Sequence, residues 1–93
     1  MSRVLLRSPA FARSAKRLLK QQPEAIDRLR AVLALLADDP FHPQLQTHKL
    51  KGDLAGNWAC TVAYDLRIVF TLVQHQGAEA ILLRAIGTHD EVY

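Results

Sequence analysis

Val4, Leu5 and Leu6 form a short apolar run between Arg3 and Arg7, which predicts a strand over residues 3–7. The next residues, Ser8-Pro9-Ala10-Phe11, read as a helix start. Ser8 stands where a side-chain oxygen can cap the first free N–H groups. Pro9 occupies the first helical position, where its missing N–H costs nothing. Phe11, Ala15, Leu18 and Leu19 then recur at helical spacing as one apolar stripe, with Arg13, Lys16, Arg17 and Lys20 lying off it. Pro23 restarts a second helix, in which Ile26, Leu29, Leu33 and Leu36 share a face, and Asp38-Asp39-Pro40 ends it. Two helices joined by Gln21-Gln22-Pro23 predict an antiparallel helical hairpin.

Residues 40–56 are polar, with two Pro and two Gly, and read as a long connection with some extended structure. Three strand-like runs follow, over 58–63, 66–73 and 79–86, separated by Tyr64-Asp65 and by a segment containing Gly77. Short connections make these runs antiparallel neighbours. In the middle run Leu66, Ile68, Phe70 and Leu72 share one face, and Arg67, Val69, Thr71 and Val73 the other. Neither face is wholly polar, so this strand is central and partly covered on both sides. The expected architecture is α+β in the order β-α-α-β-β-β, with the helical hairpin packed on a twisted antiparallel sheet. Ninety-three residues make one domain, residues 1–93.

Charge and cysteine content narrow the setting. The net charge is +3, from eight Arg and four Lys, and favours anionic partners such as nucleic acid or an acidic protein segment. Much of it crowds the first third of the chain. The longest apolar run, Ala31 to Ala37, is too short to cross a bilayer, and the first residues lack the pattern of a secretory signal. One cysteine, Cys60, permits no internal disulfide and fits a reducing cytoplasm, so the expected location is cytoplasmic, away from membranes.

The hairpin arithmetic brings polar residues together. A turn centred near residues 76–77 places Arg67 opposite Ile86, so His89 emerges beside the start of the middle strand. The Tyr64-Asp65 turn lies at the same end. Tyr64, Asp65, Arg67, Gly87, Thr88 and His89 should therefore cluster at one edge of the sheet. Taken singly each is an ordinary surface or salt-bridged residue, with Asp65 the nearest partner for Arg67; convergence changes the reading. Cleaving RNA through its own 2′-hydroxyl needs a base, a cation for the phosphorane charge, and an acid for the leaving 5′ oxygen. Histidine can serve as base or acid at neutral pH. Arginine clamps phosphate oxygens in a bidentate fashion. His42, His48, His75 and His89 show no close metal-ligand spacing, so no metal or other cofactor is expected.

The stretch from His48 to Val73 and the closing "AILLRAIGTHDEVY" resemble the RelE superfamily of type II toxin–antitoxin toxins, in its RelE/StbE and YafQ-like branch. The marks are "KLKG" after the helices, "YDLRIVF" in the central strand and the final "IGTHDEVY". The resemblance implies a toxin that cleaves messenger RNA on the ribosome without a metal, an mRNA interferase. It also implies a cognate antitoxin that wraps the toxin and blocks the site, giving a toxin–antitoxin hetero-oligomer. By that resemblance His48, Asp65 and His89 match catalytic groups of the YafQ-like branch. Arg67 matches the phosphate-binding arginine of RelE, and Tyr93 the terminal aromatic that stacks on or orients a base. Lys49 and Lys51 occupy the basic "KLKG" position as phosphate contacts. Arg13 and Arg17 on the first helix read either as part of a solvated helix face or as a grip on ribosomal RNA phosphates. Where YafQ-like toxins carry a further histidine in the strand before the aspartate, this chain has Thr61.

The reading favours His89 as general acid or base, Arg67 as transition-state clamp and His48 as the second proton-transfer group. The segment from His48 to the strand at Trp58 could span about 30 Å when extended, enough to return His48 to the site. A second reading shares the fold: a ParE-like inhibitor of DNA gyrase. "KLKG" and the Tyr64-to-Arg67 spacing suit both, but gyrase binding needs no proton-transfer groups. A third is a degraded toxin that only binds antitoxin and operator, against which the intact closing motif stands.

Overall fold

The computed structural model describes residues 2–93. Its elements are β1 (Val4–Arg7), α1 (Pro9–Gln21), α2 (Ala25–Asp38), β2 (His48–Lys49), β3 (Trp58–Ala63), β4 (Leu66–His75), β5 (Ala78–Gly87) and α3 (His89–Val92). Short 3-10 turns occupy Pro43–Leu45 and Gly52–Leu54. The α+β class and the expected element order hold, with β2 and α3 added. No helix among the described residues is long and apolar enough to cross a membrane.

Local chemistry accounts for the helices. The Ser8 hydroxyl oxygen accepts the Phe11 N–H at 3.1 Å with Pro9 at the first position, as its place in the sequence predicts. Helix α1 buries Phe11 and Leu18, with Ala15 and Leu19 packed alongside. Helix α2 begins two residues after Pro23, without a side-chain cap, and buries Leu29, Val32, Leu36 and Ala37. Leu45 also reaches the core from within the connection that read as polar, because a 3-10 turn folds it under the sheet.

The strand order is β1-β5-β4-β3-β2. Pairs β2–β3, β3–β4 and β4–β5 are antiparallel, but β1 runs parallel to β5, so the sheet is mixed rather than antiparallel throughout. The short-connection rule governs only the last strands; β1 reaches its partner after both helices have crossed the sheet. Both helices cover one face. Cys60 and Val62, Ile68 and Phe70, and Ile81, Leu83 and Ile86 meet them in one core cluster.

The β4–β5 ladder carries the decisive irregularity. Its turn lies where expected, with Gln76 and Gly77 both at positive φ, 52° and 80°. From that turn the pairing runs regularly to Phe70↔Leu83 and then shifts, so that Val69 pairs with Ala85 and Arg67 with Gly87 rather than Ile86. Arg84 is the extra residue. Strand side chains alternate faces, so this β-bulge reverses the phase of β5 beyond it. Ile81 and Leu83 face the helices before the bulge and Ile86 does so after it, while Gly87 turns to the far face beside Arg67.

Helix α1 satisfies the backbone groups that the bulge disturbs. The Ser8 N–H donates to Leu83 O at 3.0 Å, and its hydroxyl donates to Arg84 O at 3.2 Å. The Ile86 N–H donates to the Ser14 hydroxyl oxygen at 3.3 Å. A second irregularity, in β3 between Thr61 and Ala63, is held by Arg28, whose Nε donates to Val62 O at 2.7 Å.

Two outcomes test this account. Ser14→Ala gains roughly 0.5 kcal/mol of helix propensity but strands a buried N–H, at about 1–3 kcal/mol. The net expectation is a loss of about 1 kcal/mol in urea unfolding; no loss would remove Ser14 from the support of the bulge. Cys60 is fully buried, and burial pushes its thiol up to about 12. It should resist iodoacetamide at pH 8 in the native protein and react promptly in urea.

Candidate functional site

On the sheet face away from α1 and α2, Arg67 sits between Thr61 of β3 and Gly87 of β5. Its Nη1 is shared among three carbonyls around the β3–β4 turn: Ala63 at 2.9 Å, Tyr64 at 3.1 Å and Leu66 at 3.2 Å. These bonds fix the plane of the guanidinium through one nitrogen. Among the described residues Nε and Nη2 have no acceptor, which leaves a forked edge for an oxyanion. Arg67 is not paired with Asp65, the partner that sequence proximity suggested.

Asp65 instead serves α3. Its Oδ1 accepts the His89 N–H at 3.4 Å. Thr88 caps the same helix: its hydroxyl accepts the Glu91 N–H at 3.3 Å, and Glu91 Oε1 accepts the Thr88 N–H at 2.8 Å. Gly87 makes room for this turn. A Cβ there would lie 3.1 Å from Glu91 Cβ and 3.3 Å from Val92 Cγ1. Helix α3 thereby packs tightly over β4 and β5 and carries the chain back across the sheet.

That path brings Tyr93 between two histidines. The His89 ring meets Tyr93 edge-to-face with centroids 4.4 Å apart, and the His48 ring does so at 6.4 Å. The Tyr93 hydroxyl lies 3.5 Å from His48 Nε2. Burial raises the phenol above its ordinary range, with the nearby Arg67 charge opposing, so Tyr93 is a neutral donor at physiological pH. His48 needs no extended excursion to get there: it pairs with Ala59 in the β2–β3 ladder, and Ala59 pairs with Val69, two residues from Arg67. His89 Nδ1 lies 3.6 Å from the Asp90 carboxylate, both exposed.

The remaining sequence-predicted residues divide. Lys49 pairs with Trp58, one position on from His48, and so points to the opposite face, its Nζ 5.6 Å above the Trp58 ring. Lys51 is exposed just beyond β2. Tyr64, 97% exposed, contributes only its carbonyl. Arg13 and Arg17 are both exposed on α1. Arg17 lines a cleft of about 350 Å³ with Gln21, Asp65, Thr88 and Glu91, which Tyr93 does not line. Sequence reasoning missed Gln46, which carries a left-handed backbone (φ 51°). Its carbonyl lies 3.2 Å from His48 Nδ1, and its side-chain oxygen accepts from the Thr61 hydroxyl at 3.2 Å. No sequence signal marks a glutamine for that conformation. No group of three or more His, Cys, Asp or Glu among the described residues is placed to hold a metal ion.

Comparison with known proteins gives a consistent picture. The family model described as "Bacterial toxin of type II toxin-antitoxin system, YafQ" matches residues 3–93. Among solved structures, YafQ from E. coli superposes with a TM-score of 0.79 at 18% identity, covering 98% of both chains. A YoeB/ParE toxin from Agrobacterium tumefaciens gives 0.77 at 15% identity, covering 92% of this chain and 98% of that one. A metal-bound toxin from Helicobacter pylori gives 0.73 at 24% identity, with both chains fully covered. A search of curated protein sequences found no match.

The α3 cap gives this face a pH dependence of its own. The two hydrogen bonds from Thr88 hold the Glu91 carboxyl below its ordinary range, and Arg17 adds to the effect. A carboxyl with a depressed folded-state value stabilises fully above its unfolded value, about 4.3. That contribution fades as pH falls through the lower folded value. The Thr88 amide signal should therefore titrate at a pH below the ordinary glutamate range and stop doing so in Glu91→Gln. An amide indifferent to pH in the native chain would contradict the capping box.

Proposed function

The chain belongs to the YafQ family of bacterial toxins of type II toxin–antitoxin systems, and on that premise we propose that it is a ribosome-dependent endoribonuclease acting on messenger RNA. One observation carries the reading: a guanidinium with a free edge, Arg67, shares a sheet face with two imidazoles set on either side of Tyr93. Gyrase binding would need no such set.

In the proposed reaction His48 Nε2 takes the proton of the RNA 2′-hydroxyl. The freed 2′ oxygen attacks phosphorus, and a bond to the 5′ oxygen breaks as a 2′,3′-cyclic phosphate forms. His89, in its imidazolium form beside Asp90, gives a proton to the departing 5′ oxygen. Arg67 holds the non-bridging oxygens through Nε and Nη2, and the negative charge grows against a guanidinium already oriented by three carbonyls. Tyr93, 40% exposed, offers its ring to a base and its hydroxyl to the site. Asp65 acts here through α3, by holding the His89 backbone. His48, Asp65, Arg67, His89 and Tyr93 thus form one working face, and none of these steps calls for a metal.

The E. coli DinJ–YafQ complex is a toxin–antitoxin assembly. For this chain the corresponding partner is a cognate antitoxin that covers the same face in a hetero-oligomer. Arg13, Arg17 and Lys51 are exposed cations for ribosomal RNA. Lys49, directed away from His48, would contact a different stretch of RNA. Such a toxin works in the cytoplasm, where ribosomes are.

Primer extension on messenger incubated with the protein and ribosomes tests the proposal. Codon-aligned breaks are expected, reduced at least a hundredfold in His89→Ala and in Arg67→Ala and absent when the scissile nucleotide lacks its 2′-hydroxyl. Intact messenger together with relaxed plasmid and gyrase-dependent DNA damage would overturn it in favour of the gyrase reading.

A further inference from the structure

His48 reaches the site from β2, an edge strand of two residues. So short a ladder leaves its imidazole free to rotate and to exchange tautomers unless something else holds the ring. The polar residues just before β2 supply that hold. Gln46 adopts a left-handed backbone at φ 51°, which a residue with a side chain rarely takes up. In that conformation its carbonyl oxygen stands 3.2 Å from His48 Nδ1. A carbonyl oxygen can only accept, so the hydrogen of a neutral ring resides on Nδ1 and the lone pair on Nε2. Nε2 is the nitrogen 3.5 Å from the Tyr93 hydroxyl, which can donate to that lone pair.

Gln46 is itself tied down. Its side-chain Oε1 accepts from the Thr61 hydroxyl at 3.2 Å, and Thr61 lies in β3 directly across from Arg67. Thr61 is paired with Arg67 of the central strand β4, so the tie ends on the ladder that also carries the arginine.

We propose that Gln46 and Thr61 are positioning residues for His48: Thr61 anchors Gln46, whose carbonyl holds the Nδ1–H tautomer and presents the Nε2 lone pair to the substrate hydroxyl. The catalytic part rests on the ribonuclease reading above; the tautomer itself does not. Thr61 carries no proton in the reaction. Its hydroxyl keeps the base in the form that can take one, and it lines the same sheet face as the arginine clamp.

The test separates the two. In protein labelled with ¹⁵N-histidine at pH 8, long-range ¹H–¹⁵N correlation should show His48 with Nδ1 protonated and Nε2 bare. Thr61→Val, close in shape but lacking the donor, should move His48 towards a mixture of tautomers, and Thr61→Ser should restore the native one. Gln46→Gly keeps the left-handed backbone while removing the tie and should behave like Thr61→Val. Ribosomal messenger cleavage should fall about tenfold in kcat with little change in KM for Thr61→Val, consistent with loss of base orientation, and recover in Thr61→Ser. Amide spectra report folding in each variant. An Nε2–H tautomer in the native chain, or a tautomer unmoved in both Thr61→Val and Gln46→Gly, overturns the inference even if cleavage is vigorous. A tautomer that responds as described in a protein that never cleaves RNA supports the positioning and sinks the ribonuclease reading instead.

Discussion

One surplus residue in β5 sets the terms for the rest of the molecule. Were Arg84 paired in a regular ladder, strict alternation after Leu83 would turn Ala85 and Gly87 to the core and send Ile86 to the open face. With Arg84 bulged out, Ile86 completes the core, and Gly87 arrives opposite Arg67 with no side chain to obstruct α3. A bulge disrupts local pairing and survives where its loose backbone groups find partners. Ser8 and Ser14 provide them from the helix that covers this strand. The helical layer thus acts on the site without contributing a residue to the working face.

The site is held by backbone more than by ion pairs. Arg67 is oriented by carbonyls, His89 by an N–H bound to Asp65, and His48 by a carbonyl two residues earlier. The salt bridges among the described residues lie elsewhere or on exposed groups: Arg3 with Glu79 between β1 and β5, and His89 with its neighbour Asp90. Backbone dipoles orient a cation without neutralising it. A carboxylate partner would have cancelled the charge that the proposed reaction sets against a phosphate.

Much of this was legible in the residues. Ser8-Pro9 marked the helix start, the Phe11-to-Leu19 stripe marked its buried face, and the alternation from Leu66 to Val73 identified the central strand. Counting outwards from the turn near Gly77 placed the strand partner of Arg67 to within one residue, at Ile86 where Gly87 stands. Features that depend on tertiary partners escaped. Arg84 looks like any strand residue, because a bulge is defined by what pairs with it. The His48–Lys49 ladder is too short to show alternation, so Lys49 could not be assigned to the face away from His48. Leu45 is one of several isolated apolar residues in the connection, with Phe41, Leu50 and Leu54, and only the folded chain selects it for the core. Thr61 registered as the place where a histidine is lacking, whereas its hydroxyl is engaged with Gln46.

The same staples have a kinetic side. The bond from Ser8 to Arg84 joins residues 76 apart in the chain, and that from Ser14 to Ile86 spans 72. Contacts of such separation form late, after local helices and the β4–β5 hairpin, because loop closure must precede them. Until they form, the phase of β5 beyond Leu83 lacks its support from α1, and His89 is not fixed beside the start of β4. A chain whose helices have not yet docked on β5 would therefore carry every chemical group of the site without the geometry that joins its C-terminal half to Arg67.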